Sequence, residues 1–440
     1  MRIILFVIIG MMASATVTAQ QNNTYSLREC LRIAVDNNLR ILSSESEIGR
    51  SKVEQRSAFG DYLPTMRASA GYQRILEGSI ISNGISLPYD PPPNNYNLNL
   101  QAQLLIFDGF TREARYEMSD KTLDFWQLTN RFNHMMINYR VYVEYTNIIK
   151  NAQLVKIRRE NLEQTRSDLE RIRAQFDAGV VPVSAVYSQE AELGNREFDL
   201  IQAQNDFSVS KTALMKTMGI RPDINAEFLE SSIPSTVDSA EIAQFREIIG
   251  TTRNAIEIAF EKRPDYIAAK RSLEIAEASV TAARGSYFPS LSAFVNGGWN
   301  WEDGQTGFLR RNNSSFGLSL NVPIFQNFNV AEQVANAENS KSQSSLDLYE
   351  TEQNIIAEIQ TAILNLDAAE KQLEVAQRSI WAAERNFESS RERFELGAAS
   401  ITEFIQAQTQ QLTARINRVT AVYNYLQAKK EIQFRIGLIK

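Results

Sequence analysis

The segment Asn97-Leu98-Asn99-Leu100-Gln101-Ala102-Gln103-Leu104 alternates polar and apolar residues without a break. Because successive side chains of a strand point to opposite faces, this segment predicts a β-strand with one polar face and one apolar face. Residues 316–322, which read Phe-Gly-Leu-Ser-Leu-Asn-Val, repeat the alternation further along the chain. A half-buried strand of a soluble β-sandwich would show the same pattern, so the alternation alone leaves two architectures open.

The residues around these two segments favour a membrane barrel. Their polar faces carry amides and small side chains and no charge. Aromatic residues flank the strands, as they do at the two boundaries of outer-membrane barrels. The predicted periplasmic boundary contains Tyr62, Phe107, Tyr287, Phe288 and Phe325, and the predicted outer boundary contains Trp299 and Trp301. The residues predicted to face lipid are Leu98, Leu100, Ala102, Leu104, Phe316, Leu318, Leu320 and Val322.

The second half of the chain repeats the first, and this is the most informative feature of its organisation. Tyr62-Leu63-Pro64 returns as Tyr287-Phe288-Pro289 at an offset of 225 residues, and Ile106-Phe107 returns as Ile324-Phe325 at an offset of 218 residues. The length difference falls between these anchors, where residues 86–95 read Ser-Leu-Pro-Tyr-Asp-Pro-Pro-Pro-Asn-Asn. Proline and asparagine interrupt regular structure, so we predict a longer exposed loop there.

The repeat divides the chain into four predicted segments. Residues 1–19 form a signal peptide, 20–219 the first structural repeat, 220–253 a connector and 254–440 the second structural repeat. Each repeat is predicted to contain a helix, two strands, a long helix and a returning helix. The fold class is therefore mainly α with a small β part, in which strand hairpins are joined to long coiled-coil helices.

Two kinds of helix are predicted in each repeat. Helical periodicity predicts one helix from about Ser26 to Gly60, ended by Pro64. From about Asp108 to Ala178 only the boundary residue Gly109 could break a helix, which predicts one helix roughly 105 Å long at 1.5 Å per residue. Apolar residues recur every seventh position in this segment, and such a period imposes coiled-coil packing between neighbouring helices. The heptad residues are Ile148, Val155, Leu162, Leu169 and Phe176, with Leu366, Leu373, Ile380, Phe387 and Phe394 in the second repeat.

Each long helix is predicted to reverse at a glycine, because glycine readily adopts the left-handed conformation that caps a helix. The two tips consist of Gly179, Val180, Val181 and Pro182 in the first repeat and of Gly397, Ala398, Ala399 and Ser400 in the second. The returning helices carry further heptad stripes, and the stripe of the second repeat is shifted by one position. The stripes are Val186, Leu193, Leu200, Phe207 and Leu214 in the first repeat and Ile405, Leu412, Val419 and Leu426 in the second.

Four strands cannot close a membrane barrel, since the smallest bacterial barrels have about eight strands. Unpaired backbone groups at an open sheet edge cost several kcal/mol each in hydrocarbon. A barrel built from this chain is therefore predicted to need further copies of the chain.

The start of the chain predicts export. Arg2 precedes the apolar run 3–12, and small residues then lead to a cleavage site after Ala19 or, alternatively, after Ala15. Beyond residue 19 no apolar run reaches the roughly 18 residues that a transmembrane helix needs. Cys30 is the single cysteine, so no intrachain disulfide can form, and we expect a buried, unpaired thiol.

Composition excludes several classes of function. With 46 basic and 52 acidic residues the chain offers no basic surface of the kind that nucleic-acid binding needs. One histidine, His134, and one cysteine cannot build a Cys/His catalytic pair with an orienting partner or a metal cluster, and no phosphate-binding glycine loop occurs. We expect a protein that is not an enzyme and binds no cofactor.

The ordered motifs resemble those of the TolC family of outer-membrane efflux proteins, and the resemblance covers essentially the whole mature chain. The motifs are Tyr62-Leu63-Pro64, Ile106-Phe107-Asp108-Gly109, Gln175-Phe176-Asp177-Ala178-Gly179, Arg263-Pro264-Asp265-Tyr266 and Val322-Pro323-Ile324-Phe325. The resemblance implies a homotrimer in which twelve strands close one outer-membrane β-barrel, joined to an α-helical barrel in the periplasm. It also implies a passive exit duct of a tripartite efflux or type I secretion system, in contact with outer-membrane lipid.

The resemblance further implies partners and a constriction. The helix tips of the family meet a periplasmic adaptor protein, which couples the channel to an inner-membrane pump. Acidic residues just after the second tip ring the narrow periplasmic entrance in family members. Glu403 matches the first of these positions, whereas Gln406 stands where a second acid is expected and Ala185 where the first repeat could carry another.

The main rival interpretation is a non-channel coiled-coil protein of the periplasm, either structural or an adaptor. Such a protein would share the export signal and the long helices but would not need the alternating strands. The sequence specifies no cargo: drugs, metal ions, metabolites and polypeptides all remain compatible with it.

Overall fold

A computed structural model describes residues 24–74, 76, 79–88, 94–222, 225–304 and 307–439. The predicted signal peptide, residues 1–19, lies outside the described residues, and so do residues 89–93 of the predicted loop. Among the residues that are described, the chain is mainly helical with a small sheet, as the sequence predicts.

The described elements follow the same order in the two halves of the chain. The first half contains β1 (Thr24–Tyr25), α1 (Leu27–Asn37), α2 (Leu39–Gly60), β2 (Thr65–Arg74), β3 (Ser79–Ser82), β4 (Ile85–Pro88), β5 (Asn94–Phe107), α3 (Thr111–Asp177) and α4 (Val183–Thr217). The remainder contains β6 (Glu227–Phe228), α5 (Ser239–Ile249), α6 (Thr252–Lys262), α7 (Pro264–Gly285), β7 (Ser290–Gly304), β8 (Gly307–Asn321), α8 (Asn329–Glu395) and α9 (Ile401–Arg435). Both α3 and α8 have 67 residues, and both α4 and α9 have 35 residues.

The prediction of one helix from Ser26 to Gly60 is wrong, because the segment forms two helices, α1 and α2. Asn38 separates them in an extended conformation (φ −69°, ψ 123°), and its side-chain oxygen accepts a hydrogen bond from the Arg40 backbone N–H at 3.0 Å. Asparagine is among the best N-cap residues, and this local hydrogen bond outweighs continuation of the first helix. α2 ends at Gly60, before Pro64 is reached.

A four-stranded antiparallel sheet has the strand order β2-β5-β7-β8. Each repeat thus supplies two adjacent strands, as the alternation predicts, and β2 and β8 are the edges of the sheet. The pairing is regular except for an irregularity between Leu105 and Phe107 in β5.

The loop predicted at residues 86–95 is partly wrong. Residues 86–88 belong to β4, which forms a hairpin with β3, and residues 94 and 95 begin β5. Asn83 and Gly84 connect β3 to β4 with positive φ values of 48° and 80°, the geometry of a two-residue hairpin turn that favours Asn-Gly. The Asn-Gly pair is the sequence signal for this hairpin, and the prediction overlooked it.

The described residues form two compact units, which we treat separately. The first unit comprises the described residues of Met1–Ile33, Val141–Ser235 and Ala383–Val419. It contains the tip ends of the long helices and a small parallel pair of β1 with β6. Tyr145 is fully buried there, and its hydroxyl donates to the carbonyl oxygens of Tyr25 at 3.1 Å and Leu229 at 2.8 Å. This buried phenol ties the connector segment to α3.

The second unit comprises the described residues of Ala34–Arg140, Thr236–Ala382 and Thr420–Lys440, and it contains the four-stranded sheet. Arg263 lies buried in it and forms ion pairs with Asp265 at 2.6 Å and with Glu358 at 2.8 Å. The guanidinium also donates to the Arg435 carbonyl oxygen at 3.3 Å. One side chain thus joins the start of α7 to α8 and to the end of α9.

Cys30 is buried and free, which confirms the expected unpaired thiol. Burial raises the pKa of the Cys30 thiol to about 12, and the neighbouring Glu29 carboxylate acts in the same direction. The thiol is therefore protonated at neutral pH and unreactive.

No helix in the part of the chain that the structure describes is both long enough and apolar enough to cross a membrane.

Candidate functional site

The apolar residues of the sheet lie on one of its faces. Ala102 in β5 pairs with Met66 in β2 and with Val295 in β7, and Val295 pairs with Phe316 in β8. Paired residues of an antiparallel sheet point to the same side, so each such row crosses the whole sheet. Of the eight residues predicted to face lipid, seven share this face, whereas Val322 lies just past the end of β8 at Asn321.

This face leaves large apolar side chains uncovered in the single chain. Phe316 is 88% exposed, Leu318 69% and Leu320 65%. Contiguous exposed apolar patches on proteins mark membrane or protein contacts. Contact with lipid stays a prediction, and the single shared face is the geometry that it requires.

The opposite face of the sheet is polar. Asn99 pairs with Gly298, and Gly298 pairs with Asn313. Two charges that the two alternating segments did not contain also lie on this face. Arg67 pairs with Gln101 and Arg311 pairs with Asn300, so the face is polar and weakly basic.

Aromatic residues gather at one end of the apolar face. Tyr72 pairs with Tyr96, and Tyr96 pairs with Trp301. The rings of Tyr72 and Tyr96 lie with their centroids 5.2 Å apart. Sequence reasoning found Trp301 and Trp299 but missed the two tyrosines, which only the cross-strand register brings beside them.

The other end of the sheet carries the second group of aromatic residues. The rings of Tyr287, Phe288 and Phe325 are all more than half exposed. Phe110 and Phe328, which the prediction did not include, are also exposed there and pack edge-on against Phe107 and Phe325 respectively.

Both helix tips have the predicted left-handed glycine. The φ angle of Gly179 is 74° and that of Gly397 is 71°. The Val180 backbone N–H donates to the Gln175 carbonyl oxygen, and the Ala398 N–H donates equivalently to the Arg393 carbonyl oxygen. These are the long-range hydrogen bonds of a helix-ending Schellman motif. The predicted glycine caps are thus confirmed, while their contact with a partner stays a prediction.

The two tips pack on one hydrophobic cluster, to which all four long helices contribute. Val181 of the first tip and Ala399 of the second both pack against it. The remaining six tip residues are exposed. The buried members of the cluster are Leu169, Ile172, Ala185, Val186, Phe387, Phe394, Phe404 and Ala407.

The centre of this cluster differs from the predicted stripe. Phe404 is fully buried, and its ring stacks on Phe394 at a centroid distance of 5.1 Å with 16° between the planes. Ile405, which the heptad pattern placed in the core, is only half-buried at the cluster edge. The prediction was off by one position because the glycine turn, and not the heptad count, sets the phase of α9.

A buried carboxylate lies next to the cluster. Asp168 is 3% exposed and accepts hydrogen bonds from Gln408 at 3.2 Å and from Gln164 at 3.2 Å. Arg171 donates to the same carboxylate at 2.7 Å and also to Glu395 on α8 at 2.8 Å. Burial raises the pKa of Asp168, and the donors and nearby arginines only partly oppose that effect. The network joins α3 to α8 and α9 just behind the tips.

The predicted constriction residues lie on the first turns of α9. The Glu403 carboxylate accepts a hydrogen bond from Arg393 at 2.6 Å, and the Glu403 backbone N–H donates to the Ser400 hydroxyl at 3.2 Å. Gln406 is exposed. Sequence reasoning missed Arg393, which partly neutralises the charge on Glu403 within the same chain.

In the part of the chain that the structure describes, no group of three or more histidine, cysteine, aspartate or glutamate side chains could hold a metal ion. His134 is half-buried in α3.

A sheet with one apolar and one polar face, joined to helices of 67 residues, defines the class of outer-membrane channel subunits. The family model for the outer membrane efflux protein matches residues 31–220 and 255–438. The chain belongs to the outer membrane efflux protein family, which is a family of outer-membrane channels and not of enzymes.

Relatives and solved structures agree with this assignment. The outer membrane protein TolC of Vibrio cholerae is 20% identical over 429 residues, which span 94% of this chain and 91% of that protein. TolC of Escherichia coli is 19% identical over 424 residues, or 90% of this chain and 80% of that protein. The crystal structure of the outer membrane protein VceC from Vibrio cholerae matches the fold with a TM-score of 0.80 at 15% identity, covering 93% of this chain and 96% of that one.

Proposed function

We propose that three copies of this chain form a passive exit duct through the outer membrane. The observation that carries this proposal is the two-faced sheet with two open edges. The apolar face would contact lipid and the polar face would line a water-filled channel, as in other outer-membrane barrels. Family membership favours this function over the rival coiled-coil structural or adaptor protein.

The open edges supply the physical reason for assembly. β2 and β8 each have one side without a strand partner in the described chain. In hydrocarbon those backbone groups must be paired, and closed barrels are the way strands achieve this. Three copies of a four-stranded sheet would give the twelve strands implied by the family resemblance.

Channel formation is tested with the purified full-length protein in planar bilayers. The proposal expects extraction with outer membranes, a trimer in mild detergent and stepwise ionic currents. A protein that stays in the periplasmic fraction and carries no current would instead match the rival coiled-coil interpretation.

We propose that the two tips dock a periplasmic adaptor, which would couple the duct to an inner-membrane pump. Support comes from their composition and exposure: Gly179, Val180 and Pro182 at the first tip and Gly397, Ala398 and Ser400 at the second are exposed. Small residues permit close approach of a partner helix. Since the tips lie at matching places in the two repeats, three copies would present six similar surfaces.

The contacts of the tips determine which substitutions are informative. Ala399 packs against the buried cluster, so Ala399→Glu would disturb the tip itself. Ala398 and Val180 are exposed, so Ala398→Glu and Val180→Glu should abolish efflux and adaptor cross-linking while the trimer still forms. Normal cross-linking and efflux in both variants would refute the docking surface.

We also propose that Glu403 and Gln406 line the periplasmic constriction. Because Arg393 holds Glu403 at 2.6 Å, three copies would present three ion pairs and not three free carboxylates. Cation preference should therefore be weak in the wild type and should rise in Arg393→Gln, whereas Glu403→Gln should lower it. Bilayer recordings of reversal potential measure both effects, and unchanged selectivity in both variants would place these residues away from the constriction.

A further inference from the structure

The pairing register within each repeat is the same. β2 and β5 pair with Thr65 opposite Gln103, and β7 and β8 pair with Ser290 opposite Asn321. Thr65 and Ser290 differ by the first repeat offset, and Gln103 and Asn321 by the second. The two hairpin-like strand pairs are therefore equivalent residue by residue.

The junction between the repeats shows how one strand pair adds to the next. β5 and β7 are antiparallel, with Ala102 opposite Val295 and Leu104 opposite Ala293. If the same junction follows the second repeat, the offsets convert Ala102 to Leu320 and Val295 to Ala70. The strands so joined are β8 and β2, the two open edges of the sheet. Within one chain they lie at opposite sides of the sheet, so the equivalent junction requires a second copy.

The corners between helix and strand give a second, independent indication. At the first junction Gly109 (φ 72°) packs on Gly285, where an added Cβ would lie 2.8 Å from the Gly109 carbonyl oxygen and would overlap the Thr111 hydroxyl. The repeat equivalent of Gly285 is Gly60, and both residues end helices of 22 residues. In contrast, a Cβ added to Gly60 meets nothing within 4 Å in its own chain.

The surface that should cover Gly60 is also present, at the far end of the sheet. Asn327 and Phe328 have φ values of 48° and 63°, which match the 72° and 66° of Gly109 and Phe110. Non-glycine residues adopt these conformations at a cost, so the surrounding structure must stabilise the turn. The turn also borders a cavity of about 240 Å³ lined by aromatic and aliphatic side chains, among them those of Phe325 and Phe328.

We propose that β8 of one copy pairs antiparallel with β2 of a second copy in the register that places Leu320 opposite Ala70, with Gly60 of the second copy packed on the turn at Asn327 and Phe328. The inference rests on the multi-copy barrel proposed above and adds the register of its interface. Both Leu320 and Ala70 belong to the apolar face of the sheet. The register therefore keeps the apolar faces of the two copies continuous, whereas a shift by one residue would reverse one of them.

Disulfide trapping tests the register directly. Directly opposite residues of an antiparallel pair have Cα atoms about 4.5 to 5.5 Å apart, within the range that a disulfide can bridge. In a Cys30→Ser background, the double variant Leu320→Cys with Ala70→Cys should give covalent dimers and trimers that disappear on reduction. Leu320→Cys with Met66→Cys is the matched control, since Met66 lies on the same face but about 13 Å further along the strand at 3.3 Å per residue. It should remain monomeric on a denaturing gel.

The outcomes separate this inference from the channel proposal. Bonding in the Met66 pair, or in neither pair, while the wild type still conducts ions would overturn the register and leave the channel intact. Absence of bonding together with absence of conductance would overturn both.

A second comparison tests the corner contact without relying on disulfides. Gly60→Leu should abolish the trimer in mild detergent, while the helical content of the chain is kept because its own chain leaves room for the side chain. Gly49→Leu, in the same helix and equally free of contacts in its own chain, should assemble normally. Normal assembly of Gly60→Leu would refute the contact.

Discussion

Replacing Phe404 by alanine should open the helix tips locally. Phe404 is fully exposed to neighbours and not to solvent: it stacks on Phe394 at 5.1 Å, and its ring lies 6.0 Å from that of Phe387. Truncating a buried phenylalanine costs about 3 to 5 kcal/mol, because transfer energy is lost and a cavity remains. The lost ring pairs account for about 0.5 to 1.5 kcal/mol each beyond their buried area. Phe404→Leu keeps most of the volume and should cost about 1 to 2 kcal/mol.

Hydrogen exchange of the assembled protein measures this effect where it occurs. A loss of 3 kcal/mol corresponds to roughly a hundredfold faster exchange, since about 1.4 kcal/mol is a factor of ten. Amides of residues 165–176 and 401–412 should accelerate by that factor in Phe404→Ala, and by roughly tenfold or less in Phe404→Leu. Exchange in the sheet should not change. Wild-type protection at the tips of Phe404→Ala would refute the reasoning that this ring holds the tips together.

Three further predictions concern other parts of the chain. Leu318→Arg should destabilise the assembled protein by about 2 to 4 kcal/mol if the site lies near the bilayer midplane, whereas Ser319→Arg on the polar face should assemble normally; urea unfolding of both variants measures the difference. Because burial raises the pKa of Asp168 above its ordinary value of 3.8, the folded chain binds a proton at higher pH than the unfolded chain, so this group adds tip stability as the pH falls towards 3.8. Asp168→Asn should remove that gain, which hydrogen exchange at two pH values can detect, and an unchanged pH dependence would contradict the assignment. Arg263→Ala should lower the unfolding free energy by about 2 to 3 kcal/mol, because the carboxylates of Asp265 and Glu358 lose a buried partner, and a thermal midpoint equal to that of the wild type would argue against this.

The parts of the fold that follow from long, regular patterns could be predicted from the sequence. The absence of helix breakers between residues 110 and 177 and the heptad repeat predicted α3, and the offset of the repeat predicted α8. Alternation predicted which residues of β5 and β8 share a face. The misses are local: Asn38 divides one predicted helix by capping the next, and the Asn83-Gly84 turn makes a hairpin where a loop was expected. Single side-chain hydrogen bonds and turns decide such points, and periodicity does not contain them.

The candidate site was predictable to the extent that it depends on turns. Gly179 and Gly397 have the conformation that their position after a long helix requires. The burial of Phe404 in place of Ile405, and the ion pair of Arg393 with Glu403, depend on how four helices meet at the tips. No spacing within one helix specifies those contacts.

The central claim is that the polar face of the sheet lines a water-filled pore while the apolar face contacts lipid. Leu318 and Ser319 are adjacent in β8 and belong to opposite faces, so they form a matched pair. The direct measurement is the single-channel current through Ser319→Cys and Leu318→Cys proteins before and after addition of a charged, water-soluble thiol reagent. The account predicts a stepwise fall in current for Ser319→Cys and no change for Leu318→Cys. Absence of any current, or an equal response of the two variants, would contradict it.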